Sequence, residues 1–362
     1  MKIVLFYQSL ISDWNHGNAH FLRGIATELI IRGHEVEIYE PADSWSYLNL
    51  VKDYGSDPIK EFEEQYPLLS SHRYTRLDLT SALAGADLII VHEWNTHELV
   101  RSIGKHRPTN CVLLFHDTHH RSVTSPEAMA DYDLSHYDGV LAYGNVLRDI
   151  YLQRGWTRRA WTWHEAADTT RFRPQLPGGP RSDLVWIGNW GDGERTAELE
   201  KFFIQPVRDL GIKACAYGVR YPREAQESLA AAGIEYRGWL PNYRVPDIFA
   251  GFRATIHIPR RPYATCLQGI PTIRPFEALA CGIPLVVANW SDRDGIFSEG
   301  RDFLVARNGE EMARHLATIL RNPGAAHILA SHGLKTIRSR HTCMHRVDEL
   351  LAIHQEATTI YA

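Results

Sequence analysis

The chain has no cysteine pattern. Its five cysteines, at 111, 215, 266, 281 and 343, nowhere show zinc or redox spacing. An odd, scattered count excludes a disulfide scaffold and points to a reducing cytoplasm. No apolar run approaches the ~20 residues of a membrane span. The opening MKIVLFYQSL enters a strand at once and lacks the small-residue cleavage signal of a secretory leader. A cytoplasmic protein is expected, with peripheral contact at the inner face of a membrane left open. There is no short-period repeat. The first loop, SLISDWNHGNAHF at 9–21, contains no G-x-G-x-x-G signature, and no acidic residue stands where a nicotinamide ribose would want it. This argues against a dehydrogenase, and the missing leader argues against a periplasmic binding protein. A net charge of −4 over 362 residues supplies no chain-wide basic surface, so nucleic acid is not expected as a partner.

What is present is a double series of βα units. Apolar runs at Ile3–Tyr7, Val36–Tyr39, Leu88–His92, Val112–Phe115 and Val140–Tyr143 read as buried parallel strands. Between the first two, Leu22, Ile25, Ala26, Leu29 and Ile30 share a helix face within Ala19–Arg32, which Gly33 ends. Residues 43–80 interrupt the series with Tyr, Pro and charge and read as helix plus irregular insertion. A Pro/Gly stretch at 174–180 separates a second series, with strands at Leu184–Ile187, Ala214–Tyr217, Thr255–Ile258, Pro284–Ala288 and Phe303–Val305. Helices are expected at Glu310–Leu320, Ala325–Arg340 and His345–Gln355. The predicted fold class is α/β, with two Rossmann-like domains and a cleft lined by strand C-termini. The domains are expected at 1–165 and 183–340, joined by a linker at 166–182, with 341–362 a closing helix that packs back toward the first domain. Residues 1–165 carry a net charge of −7 and the remainder +3, so an anionic ligand fits the second half better.

The segment Gly269–Val287, GIPTIRPFEALACGIPLVV, carries the most chemistry. It reads as a loop, a helix opening at Pro275 or Phe276, a break at Gly282 and a buried strand. Unpaired N–H groups at a helix N-terminus suit a diphosphate, and Glu277 in the first turn could accept hydrogen bonds from a sugar hydroxyl. Its bland alternative is an exposed acid that improves the helix dipole. Arg260 and Arg261 should emerge at the end of a strand and Arg274 just before the helix, where guanidinium groups can clamp phosphate oxygens. Gly188–Asp192 form a strand-to-helix turn that can cradle phosphate, with Arg195 in reach. The alternative there is Asp192 capping the helix and Arg195 pairing with Glu198.

Five stretches carry a family resemblance: HGNAHFLRGIATELIIRGHEV at 16–36, HEAADTTRFRP at 164–174, WIGNWGDGERTAELE at 186–200, RPFEALACGIPLVV at 274–287 and HTCMHRVDELL at 341–351. The chain resembles the GT-B glycosyltransferases of the GT4-like group, and within them the spore-maturation CgeB-like subgroup. Many GT4 enzymes carry two glutamates eight positions apart; Glu277 matches the second, and Gly269 stands at the position of the first. The resemblance implies a glycosyltransferase that moves a sugar from a nucleotide diphosphate sugar, UDP-linked by family weight, to a hydroxyl acceptor with retention. The donor is a co-substrate; no tightly bound cofactor and no essential metal are implied.

Donor-binding residues under this resemblance are Gly17, Asn189, Arg195, Arg260, Arg261, Arg274 and Glu277. His116 would contact the donor sugar, with Asp117 orienting it or binding loop N–H groups. Asp13, Trp14, His16, Glu93 and Trp94 are acceptor candidates, on the reading that they occupy polar loops. His116, His119 and His120 invite a metal reading, but they lie on a strand-to-loop transition rather than one helix face. Asn18 reads as the cap of the first helix. The acceptor could be a glycan, a protein, a lipid-linked saccharide or a small molecule. A nucleotide-sugar epimerase and a non-catalytic nucleotide-sugar-binding protein are the alternatives.

Overall fold

A computed structural model describes residues 1–359 of the chain; the last positions of the predicted 341–362 segment lie outside the described residues. The chain divides into two compact units. The first contains β1 (Lys2–Phe6), β2 (Glu35–Pro41), β3 (His72–Tyr74), β4 (Leu88–His92), β5 (Val112–Asp117), β6 (Gly139–Ala142) and β7 (Ala160–Thr162). They form one seven-stranded sheet in the order β3-β2-β1-β4-β5-β6-β7. Every pairing is parallel, with Leu5 level with Ile38 and Ile90. The middle strands are apolar through their interiors because helices cover both faces: Ile3, Val4, Leu5, Leu88, Ile89, Leu113 and Leu114 are all buried. The helix Ala19–Ile31 follows β1, and Gly33 beyond it takes a φ of +82°.

The closing helix Cys343–Thr359 belongs to this first unit. The buried Arg346 donates from Nε to the carbonyl of His164 at 2.8 Å, and its own carbonyl accepts from Trp163 Nε1 at 2.9 Å. Arg32 at the end of the first helix bonds Asp348 at 2.5 Å.

The second unit, Ala166–Thr342, contains β8 (Ser182–Ile187), β9 (Ala214–Tyr217), β10 (Ile234–Tyr236), β11 (Phe252–His257), β12 (Leu285–Ala288) and β13 (Leu304–Ala306). Its six-stranded parallel sheet runs β10-β9-β8-β11-β12-β13. The core gathers Leu184, Trp186, Phe203, Ile256, Val286, Met312 and Leu316. Strand order reverses beside β1 in one sheet and beside β8 in the other, and the crevice at such a reversal is where doubly wound sheets bind ligands.

The strands β3, β7 and β10 were not expected from the sequence. Each is a three-residue edge strand without an apolar run, so no period-2 signal marks it. β3 lies inside the 43–80 insertion, after the helices Trp45–Tyr54 and Asp57–Gln65 and before the helix Leu79–Ala82 that leaves it.

Two adjacent strand ends of the second unit meet at a single glycine. Gly218 follows β9 with φ +148°, and a Cβ there would lie 2.1 Å from the carbonyl oxygen of Gly188 after β8. Backbone cannot retreat from that contact cheaply. Gly218→Ala is expected to destabilise the second unit by about 2–4 kcal/mol, read as a lowered urea midpoint against wild type.

Candidate functional site

In the first unit the strand ends β1, β4 and β5 bring a set of aromatic and imidazole side chains together. The Tyr7 hydroxyl, just past β1, lies 2.6 Å from Nδ1 of His116 near the end of β5. Tyr7 also stacks on His92 at 4.7 Å. His92 Nε2 lies 3.0 Å from the Thr118 hydroxyl, and Asn18 Nδ2 donates to the same hydroxyl at 2.7 Å. Burial pushes the His116 imidazole down to about 3. Burial, then the neighbouring His116 and His16, hold His92 well below its ordinary value. Both rings are therefore neutral at physiological pH. A Tyr7 hydroxyl donating to Nδ1 leaves the His116 proton on Nε2, and that buried nitrogen has no hydrogen-bond partner.

Beside this cluster, Glu93 and Asp117 form a buried acidic pair. Arg121 is ion-paired to Glu93 and lies 4.5 Å from the Trp94 ring centroid. Asp117 accepts from the Tyr151 hydroxyl at 2.8 Å and the His119 N–H at 3.0 Å. Burial raises both carboxyls. Glu93 goes to about 8, with the Asp117 charge adding to the rise and Arg121 opposing it.

In the second unit the ends of β8 and β11 bring cations together. Arg195, past β8, donates from Nη1 to the carbonyl of Asn189 at 3.2 Å and lies 5.4 Å from the Trp186 ring centroid. It is partly exposed, but its Nε is shielded and unpartnered, and it makes no ion pair among the described residues. Burial, then the Arg260 charge, push its guanidinium down to about 9. Burial also pushes His257, at the end of β11, down to about 3, helped by the charges of Arg195 and Arg274. His257 thus adds no charge of its own to a region where Arg195, Arg260 and Arg274 converge.

Glu277 sits in the helix Ile273–Ala280 and is fully buried. Its Oε1 accepts from Asn242 Nδ2 at 2.6 Å and its Oε2 is ion-paired with Arg274. The helix opens earlier than Pro275, at Ile273 after the non-helical Thr272, so Glu277 falls in the second turn. The exposed-acid alternative is therefore wrong: Asn242 and Arg274 close over the carboxylate. Gly269 takes φ +104°, and a Cβ there would meet Asp294 Oδ1 at 3.0 Å and Arg293 Cβ at 3.1 Å.

Several expected positions differ in detail. Asp13 and Trp14 were expected as acceptor candidates in an open polar loop, but Asp13 pairs with the buried Arg23 at 2.9 Å and Trp14 Nε1 donates to Asp53 at 3.1 Å. The inserted helix Trp45–Tyr54 covers them. Glu93 is likewise internal. His16 and Trp94 remain partly exposed, in edge contact at 6.1 Å, and Gly17 is exposed. Asn18 makes no side-chain cap and turns instead to Thr118. Asp117 holds Tyr151 rather than His116; Tyr7 is the residue bonded to that imidazole. Asp192 does not cap by its side chain but bonds Arg220 at 3.0 Å. Glu198 pairs with Arg261 at 3.1 Å and Glu194 with Arg260 at 2.8 Å, so Arg195 is left without either carboxylate. Asn189 Oδ1 accepts from the Val219 N–H at 3.0 Å. Tyr7, His92, Asn242 and His257 escaped the sequence reading, since each lies at or just past a strand or turn end with no motif around it.

Among the described residues no group of three or more His, Cys, Asp or Glu is placed to hold a metal ion, and no helix is long and apolar enough to cross a membrane.

A family model described as glycosyl transferase-like matches residues 195–352. No curated protein matches the chain. Solved structures match it over nearly its whole length. Anabaena HepE in complex with UDP superposes with a TM-score of 0.70 at 15% identity, covering 98% of this chain and 100% of that one. Sucrose-phosphate synthase from Thermosynechococcus elongatus gives 0.68 at 13%, covering 99% and 100%. An alpha-glucosyltransferase in complex with UDP and a 13-mer DNA containing a HMU base gives 0.71 at 12%, covering 98% and 99%. The chain has the GT-B fold. The same comparison corrects the expectation of no nucleic-acid partner. That exclusion rested on a net charge of −4, yet the alpha-glucosyltransferase that shares the fold is bound to DNA, so the fold is compatible with nucleic acid. A charge summed over a whole chain does not describe any one of its surfaces.

The acidic pair supplies a pH test. A raised Glu93 value favours the folded state below the ordinary value of 4.5 and loses that contribution as pH rises toward 8. Removing the opposing cation deepens the loss. Arg121→Gln is expected to cost about 3 kcal/mol at pH 8 and less than half of that at pH 5, measured by urea denaturation at both values.

Proposed function

We propose that the chain is a glycosyltransferase that moves a glycosyl group from a UDP-sugar to a hydroxyl acceptor with retention of configuration. The observation that carries this is Arg195: a guanidinium shielded at Nε, held by one carbonyl and no carboxylate, beside a second guanidinium at a strand-order reversal. Such a charge calls for an anionic partner, and a diphosphate fits better than one carboxylate because its oxygens on two phosphorus atoms can meet both guanidinium groups at once. The family model over 195–352 and the GT-B fold support the same reading.

In this reading the second unit binds the nucleotide. Arg195 and Arg260 hold the diphosphate, with Asn189 and the turn after β8 against it. Glu277 accepts from the ribose hydroxyls once Arg274, itself 16% exposed, swings off it and toward phosphate. Arg261 stays with Glu198 as a lesser contributor. The finer placement, GT4-like and nearest the CgeB-like subgroup, rests on the GIPT loop. Gly269 stands there where many GT4 enzymes carry a first glutamate, and its positive φ and near neighbours disfavour any side chain. Backbone groups of that loop then contact the donor instead.

The first unit supplies the sugar and acceptor contacts. His116 Nε2–H donates to a donor-sugar hydroxyl, and Gly17 offers backbone to the same group. His16 and Trp94 line the acceptor side, while Asp13, Trp14, Glu93 and Asp117 hold that side in shape. The acceptor is a glycan, protein, lipid-linked saccharide or small molecule with a free hydroxyl. As the anomeric C–O bond breaks, negative charge grows on the diphosphate and the guanidinium groups stabilise it. The departing phosphate oxygen takes the acceptor proton, so no enzymatic nucleophile is needed. A cytoplasmic location suits the unpaired cysteines.

Calorimetry with UDP-, GDP-, ADP-, CMP- and dTDP-sugars tests this. A UDP-sugar is expected to bind, and Arg195→Ala to weaken UDP about 10–100-fold while leaving uridine unchanged. Folded protein that binds no nucleotide sugar, or a variant that binds UDP as wild type does, sinks the reading.

A further inference from the structure

The first unit is acidic in sum, yet six of the fifteen basic residues in 1–165 fall in two short segments, 101–107 and 154–159, neither of which contains an acid. These segments border an open pocket of about 800 Å³. Its walls are the loops that lead into β5, β6 and β7, so it lies at the opposite end of the sheet from His116. We infer that this pocket is a second binding site of the protein, for a phosphate-bearing anion.

The charges there are arranged for an external partner. Asp138 is the one acidic residue in the wall, and it is already answered by Arg107 at 3.0 Å and Arg159 at 3.8 Å. Its remaining oxygen capacity goes to the Leu113 N–H. Lys105 and Arg158 are exposed on the wall with no partner among the described residues. Arg159 borders the same pocket and reaches Asp138 only at 3.8 Å, so it too adds positive charge to the wall. One carboxylate against four cations leaves a clear excess of positive charge. Several separated donors with a gap between them suit the spread oxygens of phosphate better than a single carboxylate. The phosphate could belong to a soluble ligand or to a lipid headgroup; the chemistry is shared. None of this depends on the donor-site reading, since no residue is common to the two.

The full chain is titrated calorimetrically with inorganic pyrophosphate in saturating UDP, as wild type and as Lys105→Glu/Arg158→Glu. Both side chains are exposed, and an unchanged melting temperature checks that the variant folds. A second arm floats each protein with vesicles of phosphatidylcholine and phosphatidic acid in equal parts. Binding is expected to weaken at least ~10-fold in the variant, with UDP affinity unaltered. Loss in the pyrophosphate arm assigns a soluble phosphate; loss in the vesicle arm alone assigns a headgroup. If neither probe binds wild type, or the variant binds as wild type does, the pocket is not a phosphate site.

Discussion

A parallel sheet covered on both faces can offer chemistry only at its strand ends. Everything distinctive in this protein follows from that constraint. The interiors of β1, β4, β5, β8, β11 and β12 are almost wholly apolar, since burial on both faces leaves no room for unpaired polar groups. Where the strands stop, polar side chains appear at once: Tyr7, His92, His116 and Asp117 in the first unit, Asn189 and His257 in the second. The two sheets repeat the same strand-order reversal, so each unit has a natural ligand mouth at that point.

The two mouths solve different electrostatic problems. In the first, neutral imidazoles are kept neutral by burial and arranged by Tyr7, Asn18 and Thr118. Its acids are turned inward and answered by Arg121 and Tyr151. Such a surface offers hydrogen-bonding groups with little net charge of its own. In the second, guanidinium groups crowd together and the carboxylates nearby are already shared out: Glu194 to Arg260, Glu198 to Arg261, Glu277 to Arg274. Arg195 is what remains. A partly buried charge kept without an anion is costly, and that cost is what an incoming diphosphate would relieve.

Much of this was legible in the residues. The long apolar strands announced themselves because their burial demands continuous Val, Ile and Leu. The short edge strands did not, because β3, β7 and β10 are fixed by backbone pairing to a neighbour rather than by their own side chains. The cluster around Glu277 was visible as a motif, but its partner Asn242 lies 35 positions earlier and only the fold brings it in. Asp13 and Trp14 misled for a related reason. Their loop is polar in sequence, yet the helix Trp45–Tyr54 lies over it, with Ser46 bonded to the carbonyl of Trp14 at 2.7 Å and Asp53 to its indole. Local polarity predicts exposure only where no distant element folds across.

Charge shows the same limit of summation. The chain total of −4 combines an acidic first half with a mildly basic second. Within that acidic half, one strand-entry surface still concentrates lysine and arginine around a single, already neutralised Asp138. Screening confines such fields to about 8–10 Å, so a ligand at that surface meets Lys105 and Arg158 and is indifferent to the acids of the far helices. Local charge in this chain is therefore a property of each strand end taken separately. The mouth at Arg195 and the pocket at Lys105 and Arg158 each carry cations that no carboxylate answers among the described residues. A local excess of that kind is invisible in the charge of the whole molecule.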